Sequence, residues 1–461
     1  MPLLTLTLAL IGVINLFYFT FKPQSWSLIN DYIWLIRWQN HEFVSWKSLI
    51  DLIRGELLTG RFHPFYNLYI ISLYHFLPVT PLVFRLCQIG LLILGAIGLA
   101  DIGLSLRFSR PQILLAEVLF LGNLTIKDWI TLPGAFEPVA IVCFLFSAAA
   151  YLRRRRVLSL LFFIGMLLSK ESFFVLLPVF FILEYFYLTG DEGLNRPVRL
   201  STKALVKSLV PLAIFSALTL AFVIFVARLP RVYTAGKFEG LPLNRLLTGF
   251  IAPPIKAYGP ALLLCALVWW RRRTTRFSKS EKLTLALGLC IFISQTLILE
   301  WWGPFDSWFY LHMAIPVGWT LVLVALWNFA EVRLSERTQF IPIGFVCLYM
   351  VATTAHGARH LYTHLANART AAEIACHDFT EDPTLKVYCN CEEGSVELKS
   401  YLVAYGICKN PPEIKWTQAP GPEPIPHDHY EVLFSPRCNG PALGGTPKSE
   451  VNLEYWKISK Y

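Results

Sequence analysis

Charge is scarce in this 461-residue chain: 16% of its residues are Asp, Glu, Lys or Arg, against 55% apolar ones, and its mean hydropathy is +0.50. A water-soluble fold of that length would expose too much apolar surface, so the composition excludes one and predicts a polytopic membrane protein. A secretory leader is also missing. The run 2–21 is apolar, but it has no basic segment before it and no small-residue cleavage pattern before Lys22, so it reads as an uncleaved first transmembrane helix. The chain shows no internal repeat, no C-x2-4-C zinc spacing and no eukaryotic retention signal.

What charge there is has a pattern. The net +10 comes largely from short clusters between apolar runs: Arg107 and Arg110; Arg153 to Arg156; Arg196, Arg199, Lys203 and Lys207; Arg271 to Arg273, Arg276 and Lys279; Arg333 and Arg337. Short basic loops between hydrophobic spans are topology signals, so the excess is assigned to cytoplasmic turns and not to a nucleic-acid face. The tail after Gly357 is acidic, with ten Lys and Arg against thirteen Asp and Glu.

Apolar runs long enough to span a bilayer lie near 2–21, 82–105, 112–128, 136–152, 204–227, 257–270, 281–300, 308–330 and 339–356. The run 157–188 is interrupted by Ser169-Lys170-Glu171-Ser172. One long helix would put Arg153–Arg156 and the Arg196–Lys207 cluster on opposite faces; a helical hairpin puts both on one face and sends Lys170 and Glu171 to the outer water interface. The hairpin is therefore expected. The resulting fold class is an all-α polytopic membrane protein of about eleven transmembrane helices, with the N-terminus inside. It has a long first outer loop, 22–80, and a small extracytoplasmic C-terminal domain. Residues 1–356 form the membrane module and 357–461 the tail.

Within the first loop, 64–78 is expected as an amphipathic helix lying on the outer surface, and Trp26, Trp34, Trp38 and Trp46 at headgroup depth. The tail carries Cys376, Cys389, Cys391, Cys408 and Cys438 in an oxidising compartment, so one or two disulfides are expected there. His356, His360 and His364 follow the last helix at i, i+4 and i+8, on one face; a headgroup-facing stripe is expected of them, with a metal site as the rival reading. The membrane cysteines Cys87, Cys143, Cys265, Cys290 and Cys347 read as packing residues.

On this topology the remaining ionisable residues gather at one face. Asp31, Glu42, Arg61 and His63 lie in the first outer loop; Lys127, Asp128 and Glu137 border the second; Lys170 and Glu171 form the third; Glu300, Asp306 and His312 flank the fifth. For any one of them, exposure to water is explanation enough. Together they fit chemistry on an anionic, lipid-linked substrate, with lysine and arginine holding phosphate and a carboxylate acting as general base.

Three segments carry a resemblance. GRFHPFYNLYIISLYHFLP (60–78), WITLPGAFEPVAIVCFLFSAAAYLRRRR (129–156, with Trp129, Gly134 and Glu137) and SKESFFVLLP (169–178) resemble, in order, segments of multi-pass glycosyltransferases of the GT-C fold. That superfamily includes protein O-mannosyltransferases and bacterial lipid-A aminoarabinose transferases. The likeness covers about residues 1–190. It implies a transferase that passes a sugar from a polyprenyl-phosphate carrier to a lipid, glycan or protein acceptor on the extracytoplasmic face of a bacterial inner membrane. It also implies a catalytic acid soon after the first helix, which Asp31 matches. Where such proteins often have two adjacent acids, this chain has Asn30-Asp31, with Glu42 as the candidate replacement. Lys170, Arg61 and Lys127 would stabilise the departing phosphate. No cofactor is required on this reading, though a divalent metal remains compatible with it. The alternatives are a transporter or flippase of lipid-linked sugars, disfavoured by the missing repeat, and a catalytically silent GT-C relative.

Overall fold

The structure is a computed structural model that describes residues 46–58, 62–78, 81–122, 136–188, 202–225, 278–302, 315–331 and 341–352, with single positions between them and short strands in the tail. The described helices are α1 (Trp46–Leu58), α2 (Pro64–Phe76), α3 (Pro81–Ser105), α4 (Arg110–Leu121), α5 (Glu137–Leu152), α6 (Arg156–Ser169), α7 (Leu177–Leu188), α8 (Thr202–Phe225), α9 (Lys279–Trp302), α10 (Ile315–Glu331) and α11 (Ile341–Ala352). A 3-10 segment, Glu171–Leu176, joins α6 to α7. Residues 83–105 of α3 form one helix long and apolar enough to cross a membrane, and six shorter apolar helices accompany it. Part of the expected span count, including 2–21 and most of 257–270, lies outside the described residues.

Local chemistry sets the helix starts. Proline at the first turn opens α2, α4 and α5, where its missing N–H costs no helical bond. At α9, Ser278 and Glu281 form a reciprocal cap: the Ser278 N–H donates to Glu281 Oε2 at 2.5 Å and the Glu281 N–H to Ser278 Oγ at 3.2 Å.

The interior is a continuous apolar core. It includes Phe84, Leu99, Leu119, Phe144, Phe163, Phe180 and Val324. The exterior is apolar as well: Ile93, Leu94, Ile97 and Leu104 on α3, Val157 and Leu161 on α6, Leu218 on α8, and Ile341, Phe345 and Leu348 on α11 are all exposed. Helices that are apolar on both sides belong to a bundle whose solvent is lipid.

The chain does turn back at SKES. Arg156, the first residue of α6, reaches Glu184 near the end of α7, with Nη2 to Oε2 at 2.5 Å. In one continuous helix those residues would stand about 40 Å apart. Phe163 packs edge-on against Phe180 halfway along, ring centroids 5.2 Å apart. The helices α9 and α10 cross closely. A Cβ added to Gly288 would lie 2.7 Å from the Gly318 carbonyl oxygen, and one on Gly318 would lie 2.8 Å from that of Gly288.

The helix α2 is buried on one side, through Tyr66, Asn67, Ile70, Leu73 and Tyr74, while its exposed side carries Phe65, Leu68, His75 and Phe76. Two expectations need amending. The span expected at 112–128 is a helix that ends at Leu121, where Gly122 lies against Met350 of α11 and a Cβ would approach the Met350 side chain to 2.4 Å. The all-α class expected of the chain does not extend to the tail, which carries a five-stranded sheet.

That sheet contains β1 (Lys386–Cys389), β2 (Ile414–Trp416), β3 (His429–Phe434), β4 (Ser449–Asn452) and β5 (Trp456–Lys460), in the order β2-β1-β3-β5-β4. β1 runs parallel to both neighbours, whereas β5 is antiparallel to β3 and β4. Cys376 is buried and disulfide-bonded; its partner lies outside the described side chains.

Candidate functional site

The helices α5 and α6 form an antiparallel hairpin around the turn at Arg153–Arg155, with 16 and 14 residues in the two arms. Arms of nearly equal length bring their far ends together, about 21–24 Å from the turn. Glu137 opens α5 and Lys170 closes α6. Each sits where the helix dipole favours its charge, acid at an N-terminus and cation at a C-terminus.

Across that open end Lys170 Nζ lies 3.2 Å from Glu137 Oε1. Both are withdrawn from solvent, with side-chain exposures of 15% for Lys170 and 2% for Glu137. The contact is an ion pair by distance without the alignment of a hydrogen bond, and among the described residues neither Glu137 oxygen has a hydrogen-bond partner. A carboxylate this buried is expensive unless a cation stands beside it, which Lys170 supplies. Lys170, expected at the outer interface, has its charge balanced by a protein carboxylate.

The cation is positioned by its backbone. Ser169 Oγ donates to the Gly165 carbonyl at 2.7 Å, and the Lys170 N–H donates to that of Met166 at 3.0 Å. At Lys170 the chain leaves the helix in an extended conformation, φ −154° and ψ 106°. Gly165 admits close neighbours, since a Cβ there would lie 3.3 Å from Cys143 Sγ and 3.7 Å from the Phe65 ring. In that way α2 is seated against the α5–α6 hairpin.

The first segment joins the same place through aromatic contacts. His63, the residue before α2, is buried and stacks on Phe136, ring centroids 4.0 Å apart and 30° from parallel. Tyr66 packs on the same ring at 4.4 Å. Lys170 Nζ stands 5.2 Å over Phe136, within cation–π range. Phe62 beside it contacts Phe222 of α8 at 4.4 Å. His63, Glu137 and Lys170, from three segments far apart in sequence, are therefore brought together around one phenyl ring. Among the described residues this is a polar cluster capable of holding an anion against lysine beside a carboxylate.

Of the other expected site residues, Asp31, Glu42, Arg61, Lys127, Asp128 and Asp306 lie outside the described residues, as does His312. Glu171 lies in the 3-10 segment and Glu300 within α9, which continues through Trp302, but their side chains are not among those described. His356 is exposed, while His360 and His364 lie outside the described residues. The sequence reading missed Phe136, Tyr66 and Asn67. Phe136 had one usable signal, its place directly before Glu137. Asn67, fully buried on α2, follows His63 by one helical turn, and its N–H bonds the His63 carbonyl at 2.8 Å.

No protein-family model matches the chain, and no curated protein matches it in sequence. Among solved structures, the chain is similar to the crystal structure of ArnT from Cupriavidus metallidurans bound to undecaprenyl phosphate. The two are 13% identical with a TM-score of 0.51, and the match covers 99% of this chain and 98% of that one. The chain therefore shares its fold with ArnT, which is the GT-C fold that the three motif segments resemble.

Proposed function

We propose that this chain is a multi-pass membrane glycosyltransferase that moves a sugar from a polyprenyl-phosphate carrier to a lipid, glycan or protein acceptor on the extracytoplasmic face. The observation that carries the reading is the meeting of Lys170, Glu137 and His63 at one end of the α5–α6 hairpin. It gains support from the fold shared with a protein solved with undecaprenyl phosphate bound.

The chemistry is a single displacement. The acceptor oxygen or nitrogen forms a bond to the anomeric carbon as the bond from that carbon to the phosphate oxygen breaks, and the electron pair leaves on the phosphate. Asp31 takes the acceptor proton, so one base suffices and the anomeric centre inverts. Lys170, with Arg61 and Lys127, stabilises the negative charge that grows on the leaving phosphate. Glu137 keeps Lys170 charged and aimed, and Glu42 supports Asp31. His63, Asp128, Glu171, Glu300 and Asp306 line the substrate side. On this reading 1–356 is the catalytic module, residing in a bacterial inner membrane, and 357–461 is an extracytoplasmic domain.

The test is Asp31→Asn, assayed for the glycan product in cells where membrane insertion of the variant is normal. Loss of product is expected. Full activity would remove Asp31 as the base.

A further inference from the structure

The opposite end of the bundle has a feature that the transfer reaction does not use. The helices α3 and α5 finish in the same motif. At α3 the Phe108 N–H bonds the Gly103 carbonyl at 2.8 Å and the Arg107 N–H that of Leu104 at 3.1 Å. At α5 the Arg155 N–H bonds the Ala150 carbonyl at 2.9 Å and the Arg154 N–H that of Tyr151 at 3.0 Å. This pair of bonds needs a left-handed residue just past the helix, a place usually given to glycine. Here both places hold arginine: Arg107 at φ 59° and Arg154 at φ 62°. A side chain there is strained in a way that glycine is not.

The two caps belong to one surface. Arg153 pairs with Asp101 on the last turn of α3, and Ser280 Oγ at the start of α9 donates to the Leu106 carbonyl at 2.7 Å. At this end Asp101 pairs with Arg153, Glu184 with Arg156 and with the Tyr151 hydroxyl at 2.6 Å, and Glu281 with the cap of α9. Arg107, Arg110, Arg154, Arg155 and Lys282 are all exposed there. Immediately along the helices the exposed residues turn apolar, with Leu104 beside Arg107 and Val157, Leu158 and Leu161 beyond Arg155.

We propose that this end is a docking surface for an anionic phospholipid, whose phosphate lies on Arg107 and Arg154 while its acyl chains run along Leu104, Val157 and Leu161. Charge above an apolar strip is the complement of that amphiphile, and a free phosphate would make no use of the strip. Basic clusters at helix ends attract anionic headgroups. The strained arginines then have a reason to be there, since glycine would cap the helices but hold no headgroup. The inference requires the chain to sit in a bilayer and does not depend on the transfer reaction.

The experiment compares the full-length wild-type chain with R107G/R154G by native mass spectrometry. Each is released from mixed vesicles of cardiolipin, phosphatidylglycerol and phosphatidylethanolamine. Wild type is expected to retain the two anionic lipids in preference to the zwitterionic one. The glycine variant should melt at the same or a higher temperature and lose that preference by roughly tenfold or more, while R107K/R154K keeps it. Equal retention of all three lipids by wild type, or an unchanged preference in the glycine variant, would overturn the proposal. If the glycine variant fails to fold, R107Q/R154Q, which keeps a side chain at both left-handed positions, takes its place, and an unchanged preference there would overturn the proposal.

Discussion

Lys170 Nζ stands 3.2 Å from Glu137 Oε1, joining the residue that caps the end of one arm of a helical hairpin to the first residue of the other. Both charges are withdrawn from water, so removing either one leaves its partner buried and uncompensated. Lys170→Met or Glu137→Leu alone is expected to cost about 3–5 kcal/mol of stability, while the double variant, apolar on both sides, recovers most of it. Thermal unfolding of the four proteins in one detergent gives the coupling. On the proposed mechanism all three variants lose transfer, including the double variant that folds. Additive single effects would mean that the pair is not coupled.

His63 contributes a stacked ring to the same place, 4.0 Å from Phe136. His63→Ala removes the stack and is expected to cost about 0.5–1.5 kcal/mol beyond the lost burial. His63→Phe keeps a ring against Phe136 and should restore the melting temperature. A transfer assay on the Phe variant then separates packing from substrate contact: recovered folding with reduced activity is the expected result.

The hairpin at 157–188 and the gathering of Glu137 and Lys170 at one face were legible in the sequence, whereas their pairing was not. The basic clusters force 157–188 to turn back at SKES; a separate turn at 153–155, between arms of nearly equal length, carries Glu137 and Lys170 to the same end. What sequence could not show is how the third segment arrives. His63 meets Phe136 through a stack between residues distant in sequence, and no periodicity marks such a contact. Glu184 was passed over inside an apolar run, although four arginines at 153–156 could have signalled a buried partner. The tail sheet was missed because its strands are three to six residues long and its parallel pairs join segments far apart. Asp31 and Arg61 lie outside the described residues, so their part of the site rests on resemblance.

Glu184 is the buried acid at the other end, accepting from Tyr151 at 2.6 Å and from Arg156 at 2.5 Å. Glu184→Ala should be among the more damaging single changes, costing about 3–5 kcal/mol, because Arg156 loses its counter-ion. Tyr151→Phe removes one hydrogen bond to a charged group and should cost about 1.5–3 kcal/mol. Both effects are read from thermal unfolding, with Arg110→Gln as a surface control that leaves the melting temperature unchanged.

The crossing of α9 and α10 depends on Gly288 and Gly318 having no side chains. Gly288→Ala places a methyl group 2.7 Å from the Gly318 carbonyl oxygen, so the helices must separate. Overpacking of this kind costs about 1–3 kcal/mol. Gly344, where an added Cβ would meet nothing within 4 Å, should accept alanine without loss. Comparing the yields of folded protein in detergent for G288A and G344A checks both statements.

The central claim is that the lysine–carboxylate site serves transfer from a lipid-linked sugar. Its most direct measurement is the release of polyprenyl phosphate from a polyprenyl-phosphate sugar by the purified chain in vesicles, followed by mass spectrometry with acceptor-containing membrane extract present. Wild type should release it, and both Asp31→Asn and Lys170→Met, confirmed as folded, should not. Release by Lys170→Met at the wild-type rate would contradict the account.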